Sequence, residues 1–244
     1  MKTAYITAVC LTLISATQPL LAQSTPTERE IGTPKPQTPL WETERDLIIM
    51  FEDTDDRISL ARSVMQTSLN GSNGLTVQQR SDGLRIAGHT LWKEGEYEDV
   101  IIAFDALTQL DIPDATLASA ARMLGQAAYL LRRWDIAAQA YRQCYTLAKR
   151  ISDDRGFRSM NLQTIVALID AEAKLGNTTV ALDLVDEIIA NTDYFPIDGI
   201  TRPAALDRGG RIALNNDMNT RAENYFSALL DEYPEYGLEW PGLR

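Results

Sequence analysis

Apolar residues recur at intervals of three and four along most of the chain beyond residue 41, a spacing that lines up one face of a helix. Two such runs precede a polar loop at residues 70–74, and they contain Leu47, Ile48, Phe51, Ile58, Ala61, Val64 and Met65. No useful stretch alternates between apolar and polar residues, which is the pattern of a half-buried strand. The chain is therefore predicted to be all-α.

The first 22 residues have the organisation of an export signal. Lys2 precedes an apolar run over residues 4–16, and Pro19 and then the small residue Ala22 follow it. This run is too short to span a bilayer comfortably. We expect a signal peptide over residues 1–22 that is cleaved after Ala22, and an exported, most simply periplasmic, protein. A retained N-terminal anchor is the alternative.

Further segments flank the main helical region. Residues 23–40 hold four of the chain's ten prolines among Thr, Gln, Ser and Glu, which is typical of a flexible linker. Residues 41–80 are interpreted as an N-terminal helical cap, and residues 237–244 as a C-terminal tail. Nothing after the signal is apolar for long enough to be an integral membrane segment, so none is predicted in the mature chain.

One short pattern occurs more than once, which is the most informative feature of the sequence. A separation of 37 residues joins Gly88 to Gly125, Val100 to Ala137, and Phe104 to Tyr141. A third copy contains Ala171, Gly176, Ala181, Val185 and Ile188, and a fourth contains Gly210, Ala222, Phe226, Leu229 and Pro234. Such periodicity indicates an array of repeated helix pairs.

The repeat resembles the tetratricopeptide repeat family, whose unit of about 34 residues is a helix, a turn and a second helix. The family has small residues where the helices cross, an aromatic residue on the second helix and a terminal proline. The resemblance implies an α-solenoid of antiparallel helix pairs wound as a right-handed superhelix. The four repeats would cover about 81–114, 118–151, 162–195 and 203–236, with turns at Gly95, Arg132, Gly176 and Asp217.

Glycine in the middle of a predicted first helix needs a reason, because it costs about 1 kcal/mol relative to alanine. We interpret Gly88, Gly125 and Gly210 as positions of close approach by the small residues of the second helices, which are Val100, Ala137 and Ala222. Rings such as that of Tyr141 would then fill the gap to the next repeat. The third copy departs from the pattern, with Ile169 and Glu172 where the family has a glycine and an aromatic residue.

In the family the first helices line a concave face, and the inward positions can be carried over by register. In the first two copies they include a basic and aromatic set: Arg85, His89, Trp92, Lys93, Arg122, Gln126 and Tyr129. The corresponding positions of the later copies include Val166, Asp170, Asp207 and Arg211. Basic and aromatic groups together favour a protein or peptide partner with an acidic or C-terminal carboxylate end. Ordinary solvated helix faces are the alternative.

One known subset of the family binds carboxylates with a clamp of Lys and Asn residues. This chain has Arg85 and His89 at those positions, and Met123 replaces a polar clamp residue. The resemblance therefore does not confer that clamp.

Charge narrows the classes of partner. The chain has 34 acidic and 23 basic side chains, a formal net charge of −11 and a pI near 4.6. Nucleic acid and anionic membrane surfaces would repel it, so neither is predicted as a partner. The hydrophobic content of 45% is sufficient for a folded core.

Candidate chemistry is sparse. One histidine excludes sites that need several imidazoles, so we predict no metal, no cofactor and no catalytic residue. The run from Asp53 to Asp56 resembles the start of a calcium loop, but Arg57 and Ile58 follow where oxygen ligands are needed, so a helix N-terminus is predicted instead. Cys144 is expected to be buried and inert, with intermolecular pairing as the alternative.

These features together predict a non-enzymatic exported scaffold that holds its partner in the groove and serves envelope assembly or coordination. Two alternatives remain open. The array could be a self-associating structural protein, which includes a homo-oligomer. It could also be an enzyme of cell-wall glycans that uses carboxylates.

Overall fold

The computed structural model describes residues 53–70, 74–151, 155–190 and 201–235. The predicted signal peptide, linker and C-terminal tail lie outside these ranges, as do residues 41–52 of the predicted cap. Within the described ranges every regular element is a helix, which confirms the all-α prediction. The helices are α1 Thr54–Leu69, α2 Val77–Lys93, α3 Tyr97–Thr108, α4 Asp114–Leu130, α5 Trp134–Arg150, α6 Arg155–Lys174, α7 Thr178–Ala190, α8 Thr201–Asn215 and α9 Asn219–Glu232.

The chain divides after Gly95 into two compact units. The first contains α1 and α2, and the second contains α3 to α9. Helix α2 begins at Val77, inside the segment assigned to the cap, and α6 begins at Arg155, ahead of the predicted third repeat. The division into a cap and four repeats stays a prediction.

Local sequence explains where the helices of the first unit begin. The Asp53 carboxylate accepts the backbone N–H groups of Asp55, at 2.9 Å, and Asp56, at 3.3 Å, and so caps α1. This confirms the predicted helix N-terminus. Thr76 and Gln79 form a reciprocal capping box at the start of α2.

Helices α1 and α2 pack through apolar residues such as Leu60 and Leu84, which are almost fully buried. Two polar contacts join them as well. The Arg80 Nε donates to the backbone oxygen of Ser68 at 2.9 Å, and Arg57 pairs with Glu94 at 3.1 Å.

Side-chain contacts in the second unit divide its helices into two layers. Helices α4, α6 and α8 form the first layer, because Tyr129 on α4 and Arg208 on α8 both contact Asp170 on α6. Helices α5, α7 and α9 form the second layer, because α7 bonds to Tyr145 on α5 and to Tyr225 on α9. From α4 to α9, each helix packs against the next helix in the chain, which lies in the other layer.

The turns within the pairs have a common backbone conformation. The four predicted turn residues, Gly95, Arg132, Gly176 and Asp217, all have positive φ, between 57° and 82°. In the second unit, the backbone N–H of the residue after each turn residue also donates to the backbone oxygen five residues earlier. These hydrogen bonds run from Arg133 to Ala128, from Asn177 to Glu172 and from Met218 to Ala213. This is the pattern of a Schellman motif. The predicted positions of these turns are therefore confirmed.

Two of the predicted mid-helix glycines, Gly125 and Gly210, face rings rather than small residues. A Cβ on Gly125 would lie 2.7 Å from two ring atoms of Tyr141, and one on Gly210 would lie 2.5 Å from the ring of Phe226. Ala137 and Ala222 are buried, as expected, but they are not the nearest neighbours of the glycines. The interpretation of the close approach is corrected accordingly: each glycine leaves room for an aromatic ring from the second helix of the same pair.

The third pair, α6 and α7, packs without that glycine. Ile169 and Glu172 are both fully buried. The Glu172 carboxylate pairs with Arg142 of α5 and accepts the side-chain amide of Asn177 at 2.8 Å. A buried carboxylate with two donors thus takes the place of the family's aromatic residue.

Candidate partner-binding face

The residues predicted to line a groove lie on two helices of different units. Arg85, His89, Trp92 and Lys93 belong to α2, whereas Arg122, Gln126 and Tyr129 belong to α4. Arg85 and Lys93 are exposed, and His89 and Trp92 are partly buried and make further interactions. That the two sets face one groove stays a prediction.

Arg85 has a weak partner on its own helix. Its guanidinium lies 3.6 Å from the Asp82 carboxylate, one turn earlier. Since the Arg85 side chain is 44% exposed, this pair contributes little to stability and leaves the charge at the surface.

On α4, Tyr129 contacts side chains of two neighbouring helices. Its hydroxyl donates to the Asp170 carboxylate at 3.4 Å, and its ring meets that of Trp134 edge to face at 5.0 Å. The Arg208 Nε lies 2.5 Å from the same carboxylate. Burial and then the Asp170 charge raise the pKa of Tyr129. Tyr129, Asp170 and Arg208 therefore link the three first-layer helices.

Arg208 was not among the predicted site residues. The register of the repeat selected Asp207 and Arg211, which pair with each other on α8 at 2.9 Å. Arg208 follows Asp207 directly, and no pattern in the sequence indicates that it reaches Asp170 on another helix.

Tyr141 brings a further hydroxyl toward this set. Because Gly125 has no side chain, the Tyr141 ring lies against α4. Burial raises the pKa of Tyr141, and so does the nearby Tyr129, while the charge of Arg122 lowers it. The Tyr141 hydroxyl is thus within electrostatic reach of both Tyr129 and Arg122.

Arg122 differs from the other first-layer arginines. Its Nε atom is buried and finds no hydrogen-bond acceptor in the part of the chain that the structure describes. Arginines with described side chains on α8 are all paired, Arg202 with Glu232, Arg208 with Asp170 and Arg211 with Asp207. Arg122 therefore retains an unsatisfied donor beside Gln126 and Tyr129 on its helix.

The fold of the chain is similar to that of known structures. A putative kinesin light chain of Podosopora anserina with nearly identical TPR-like repeats is 11% identical, and the match covers 77% of this chain and 92% of that one, with a TM-score of 0.54. The MamA protein is 16% identical over 82% of this chain and 93% of its own, with a TM-score of 0.55. The fold is that of a tetratricopeptide-type solenoid.

No protein-family model matches the sequence, and no curated protein matches it. At sequence identities of 11% and 16%, the two structural matches show a similar fold and nothing more. Tetratricopeptide-type arrays present extended surfaces for binding other proteins, so the fold is typical of an interaction scaffold.

Charge is distributed unequally between the two layers of this tetratricopeptide-type unit. The first-layer helices α4, α6 and α8 contain seven basic and four acidic residues, and the second-layer helices α5, α7 and α9 contain four basic and seven acidic residues. The first layer is thus net positive in a chain whose formal charge is −11.

The second layer has its own connections. Glu187 of α7 accepts the Tyr145 hydroxyl at 2.7 Å and pairs with Lys149. Asp186 accepts the Tyr225 hydroxyl and pairs with Arg221, each at 2.6 Å. Lys149 and Arg221 are therefore paired with carboxylates of their own layer, whereas Arg142 and Arg150 pair with Glu172 and Asp114 of the first layer.

Other candidate chemistry is limited. Cys144 is fully buried beside the Thr164 hydroxyl, and burial raises the pKa of its thiol, as expected for an inert cysteine. Among the described residues, no group of three His, Cys, Asp or Glu side chains could hold a metal ion. No helix in those ranges is both long and apolar enough to cross a membrane.

Proposed function

We propose that the protein is an exported, non-enzymatic scaffold that holds a protein or peptide partner against its first layer. The observation that carries this proposal is the net positive first layer with its unsatisfied Arg122 donor, in an otherwise acidic chain. The tetratricopeptide-type fold supports it, because such arrays use one face of their first helices for binding.

The charge of that layer defines the partner. A positive face attracts a segment with carboxylates, either as acidic side chains or at a chain end, and holds it by charge-assisted hydrogen bonds. The second layer would repel the same segment, because acidic residues predominate there.

The cellular setting follows from the predicted signal peptide. An exported scaffold with a flexible linker suits assembly or coordination in the cell envelope, with the periplasm as the simplest location. Cell fractionation and N-terminal sequencing of the mature protein test this part: a start at Gln23 in the periplasmic fraction supports it, and an intact N-terminus in the cytoplasm contradicts it.

Partner capture tests the binding function. The tagged protein is crosslinked in cells, and the captured species are compared with those of a variant carrying Arg85→Glu and Arg122→Glu. We expect a discrete partner that is lost in the variant while far-ultraviolet circular dichroism is unchanged. The matched control reverses the exposed Arg133 and Arg150, at the two ends of α5, and should retain the partner. Unchanged capture in the first variant would refute the assignment.

Self-association is the second candidate. The positive first layer and the acidic second layer of two copies are complementary in charge. Light scattering over a range of protein and salt concentrations tests it, since a salt-sensitive increase in mass with concentration is expected only if copies pair. A constant monomer mass would dismiss this candidate.

A further inference from the structure

The second helices of successive pairs have different surroundings. Helix α6 packs against α5, and α8 packs against α7, so the first helix of the next pair covers one side of each. In the part of the chain that the structure describes, no helix follows α9. The side of α9 that corresponds to those covered surfaces is therefore not covered by a further pair.

The repeat register identifies the side chains on that side of α9. Each second helix has a buried alanine at the same place in the repeat: Ala137, Ala181 or Ala222. The residues one, four and eight positions later share one side of the helix. In α5 and α7 they are hydrophobic and buried or partly buried: Ala138, Tyr141 and Tyr145, and Leu182, Val185 and Ile189. In α9 they are Glu223, Phe226 and Leu230, which are named the α9 stripe.

The α9 stripe is exposed where the earlier helices are covered. Leu230 is 62% exposed, the largest fraction for a large hydrophobic residue within the described ranges. Glu223 is exposed as well, and Phe226 is partly buried because its ring lies against Gly210 of the same pair. A helix beside α9, in the place that α6 takes beside α5, would remove Phe226 and Leu230 from water.

Charge determines which helix fits that place. Glu223 lies in line with Phe226 and Leu230, and Asp231 adjoins Leu230. Both carboxylates are exposed, and neither has an ion pair within the described ranges. The one basic residue of α9, Arg221, pairs with carboxylates of α7 instead. An occupant therefore needs Lys or Arg side chains beside its apolar positions.

A second copy of the chain does not meet this requirement. Antiparallel pairing of two α9 helices about Ser227 would place Glu223 of each copy near Asp231 of the other. Like charges in that arrangement repel, and α9 has no free basic residue to compensate for them. The charges of the surface thus favour a different chain.

We propose that the α9 stripe is the docking site for an amphipathic helix of a partner, whose apolar side is bordered by Lys or Arg. The helix lies beside α9 as α6 lies beside α5. Its apolar residues cover Phe226 and Leu230, and its basic residues pair with Glu223 and Asp231. This surface belongs to the second layer, so the inference does not depend on the acidic partner proposed for the first layer.

Three synthetic peptides test the site on the full chain with ¹³C-labelled leucine methyl groups. The first is acetyl-Lys-Leu-Ala-Lys-Leu-Ala-Lys-Lys-Leu-Ala-Lys-Leu-Ala-Lys-amide, whose leucines share one helix face. The second has glutamate in place of every lysine, and the third has the composition of the first with its leucines distributed around the helix. We expect the first to shift the Leu230 signals saturably and the others to bind about tenfold more weakly or not at all.

Variants separate this site from general attraction of a cationic peptide to an acidic protein. Leu230→Ser, which also assigns the Leu230 signals, should lower the affinity for the lysine peptide about tenfold. Glu223→Gln should lower it about threefold and reduce its dependence on salt. Leu175→Ser, at an exposed leucine just after α6, is the matched control and should leave the affinity unchanged. Circular dichroism should be the same for all three variants, because each replaced side chain is exposed.

Several results would overturn the proposal. They are Leu230 signals that the lysine peptide does not move, equal affinities for the three peptides, or an unchanged affinity in Leu230→Ser. Binding that occurs only after residues 236–244 are removed would show that this segment takes the place of the partner helix. Leu230 signals that move with protein concentration alone would assign the surface to a second copy.

Discussion

At the scale of single residues, two rings lie where a side chain on the facing glycine would stand. Tyr141 contacts Gly125 and Phe226 contacts Gly210, each within one helix pair. Each glycine lowers the intrinsic stability of its own helix, but it leaves room for the facing ring to pack. These contacts therefore stabilise the packing within each pair.

Replacing Gly125 by alanine tests this contact. The added Cβ would lie 2.7 Å from the Tyr141 ring, so the helices must shift. Overpacking typically costs about 1–3 kcal/mol, and it competes with the gain in helix propensity of about 1 kcal/mol. We expect Gly125→Ala to lower the free energy of unfolding in urea.

The control for that variant removes the ring. In a Tyr141→Ala background the clash is absent, so Gly125→Ala should become stabilising by about 1 kcal/mol. Equal effects of Gly125→Ala in both backgrounds would show that the ring is not what the glycine accommodates.

At the scale of helices, contacts between alternate elements hold each layer together. Asp170 links α6 to α4 and α8, and Asp186 and Glu187 link α7 to its two neighbours in the second layer. Arg202 similarly pairs with Glu232 of α9 and donates to the backbone oxygen of Ile189 at the end of α7. These contacts fix the order of the pairs in the second unit.

Asp170→Asn tests the first-layer link. It weakens a pair in which the Arg208 and Asp170 side chains are only 34% and 22% exposed, so we expect a loss of about 1 kcal/mol in the free energy of unfolding. Asp207→Asn is the matched control, because its partner lies on the same helix, where such pairs contribute about 0.2–0.5 kcal/mol. Equal losses in the two variants would contradict a link between helices.

The Arg202–Glu232 pair predicts a dependence on pH. Hydrogen bonding by Arg202 lowers the pKa of Glu232 in the folded protein. A depressed folded pKa means that the contribution is present above the unfolded pKa of about 4.3 and is lost as pH falls through the folded value. We expect Glu232→Gln to reduce the acid sensitivity of the urea midpoint in that range. An identical pH profile would contradict the assignment.

The turns and the helix pairs could be predicted from sequence, and the contacts between pairs could not. Arg132 and Asp217 were placed in turns because they align with Gly95 and Gly176, and their positive φ confirms it. A local register carries no information about which side chain reaches another helix. For that reason the sequence missed the contact of Arg208 with Asp170, and it assigned the glycines to small residues rather than to rings.

The candidate site could be predicted only in part, for the same reason. Carrying over the family's inward positions placed Arg122, Gln126 and Tyr129 on one helix, and the structure keeps them there. Register alone does not distinguish Tyr129, whose hydroxyl bonds to Asp170, from Arg122, whose Nε has no acceptor in the described ranges. That difference depends on packing between helices distant in sequence.

At the scale of the whole molecule, charge is distributed unevenly in a chain whose formal net charge is −11. The excess of basic residues lies on the first-layer helices of the second unit, and the excess of acidic residues lies on the second layer. Long-range repulsion from the chain as a whole opposes an acidic partner, while contact with the first layer favours it. We therefore expect binding to depend on short-range ion pairs between the partner and the first-layer helices.

Site-specific photo-crosslinking in cells tests that central claim most directly. A photoreactive residue replaces Gln126, on the first layer, or Gln139, on the exposed side of α5 in the second layer. The account predicts that the Gln126 position captures a discrete partner, identified by mass spectrometry, and that the Gln139 position does not. Capture of that partner from Gln139 but not from Gln126 would contradict the assignment of the first layer as the binding face.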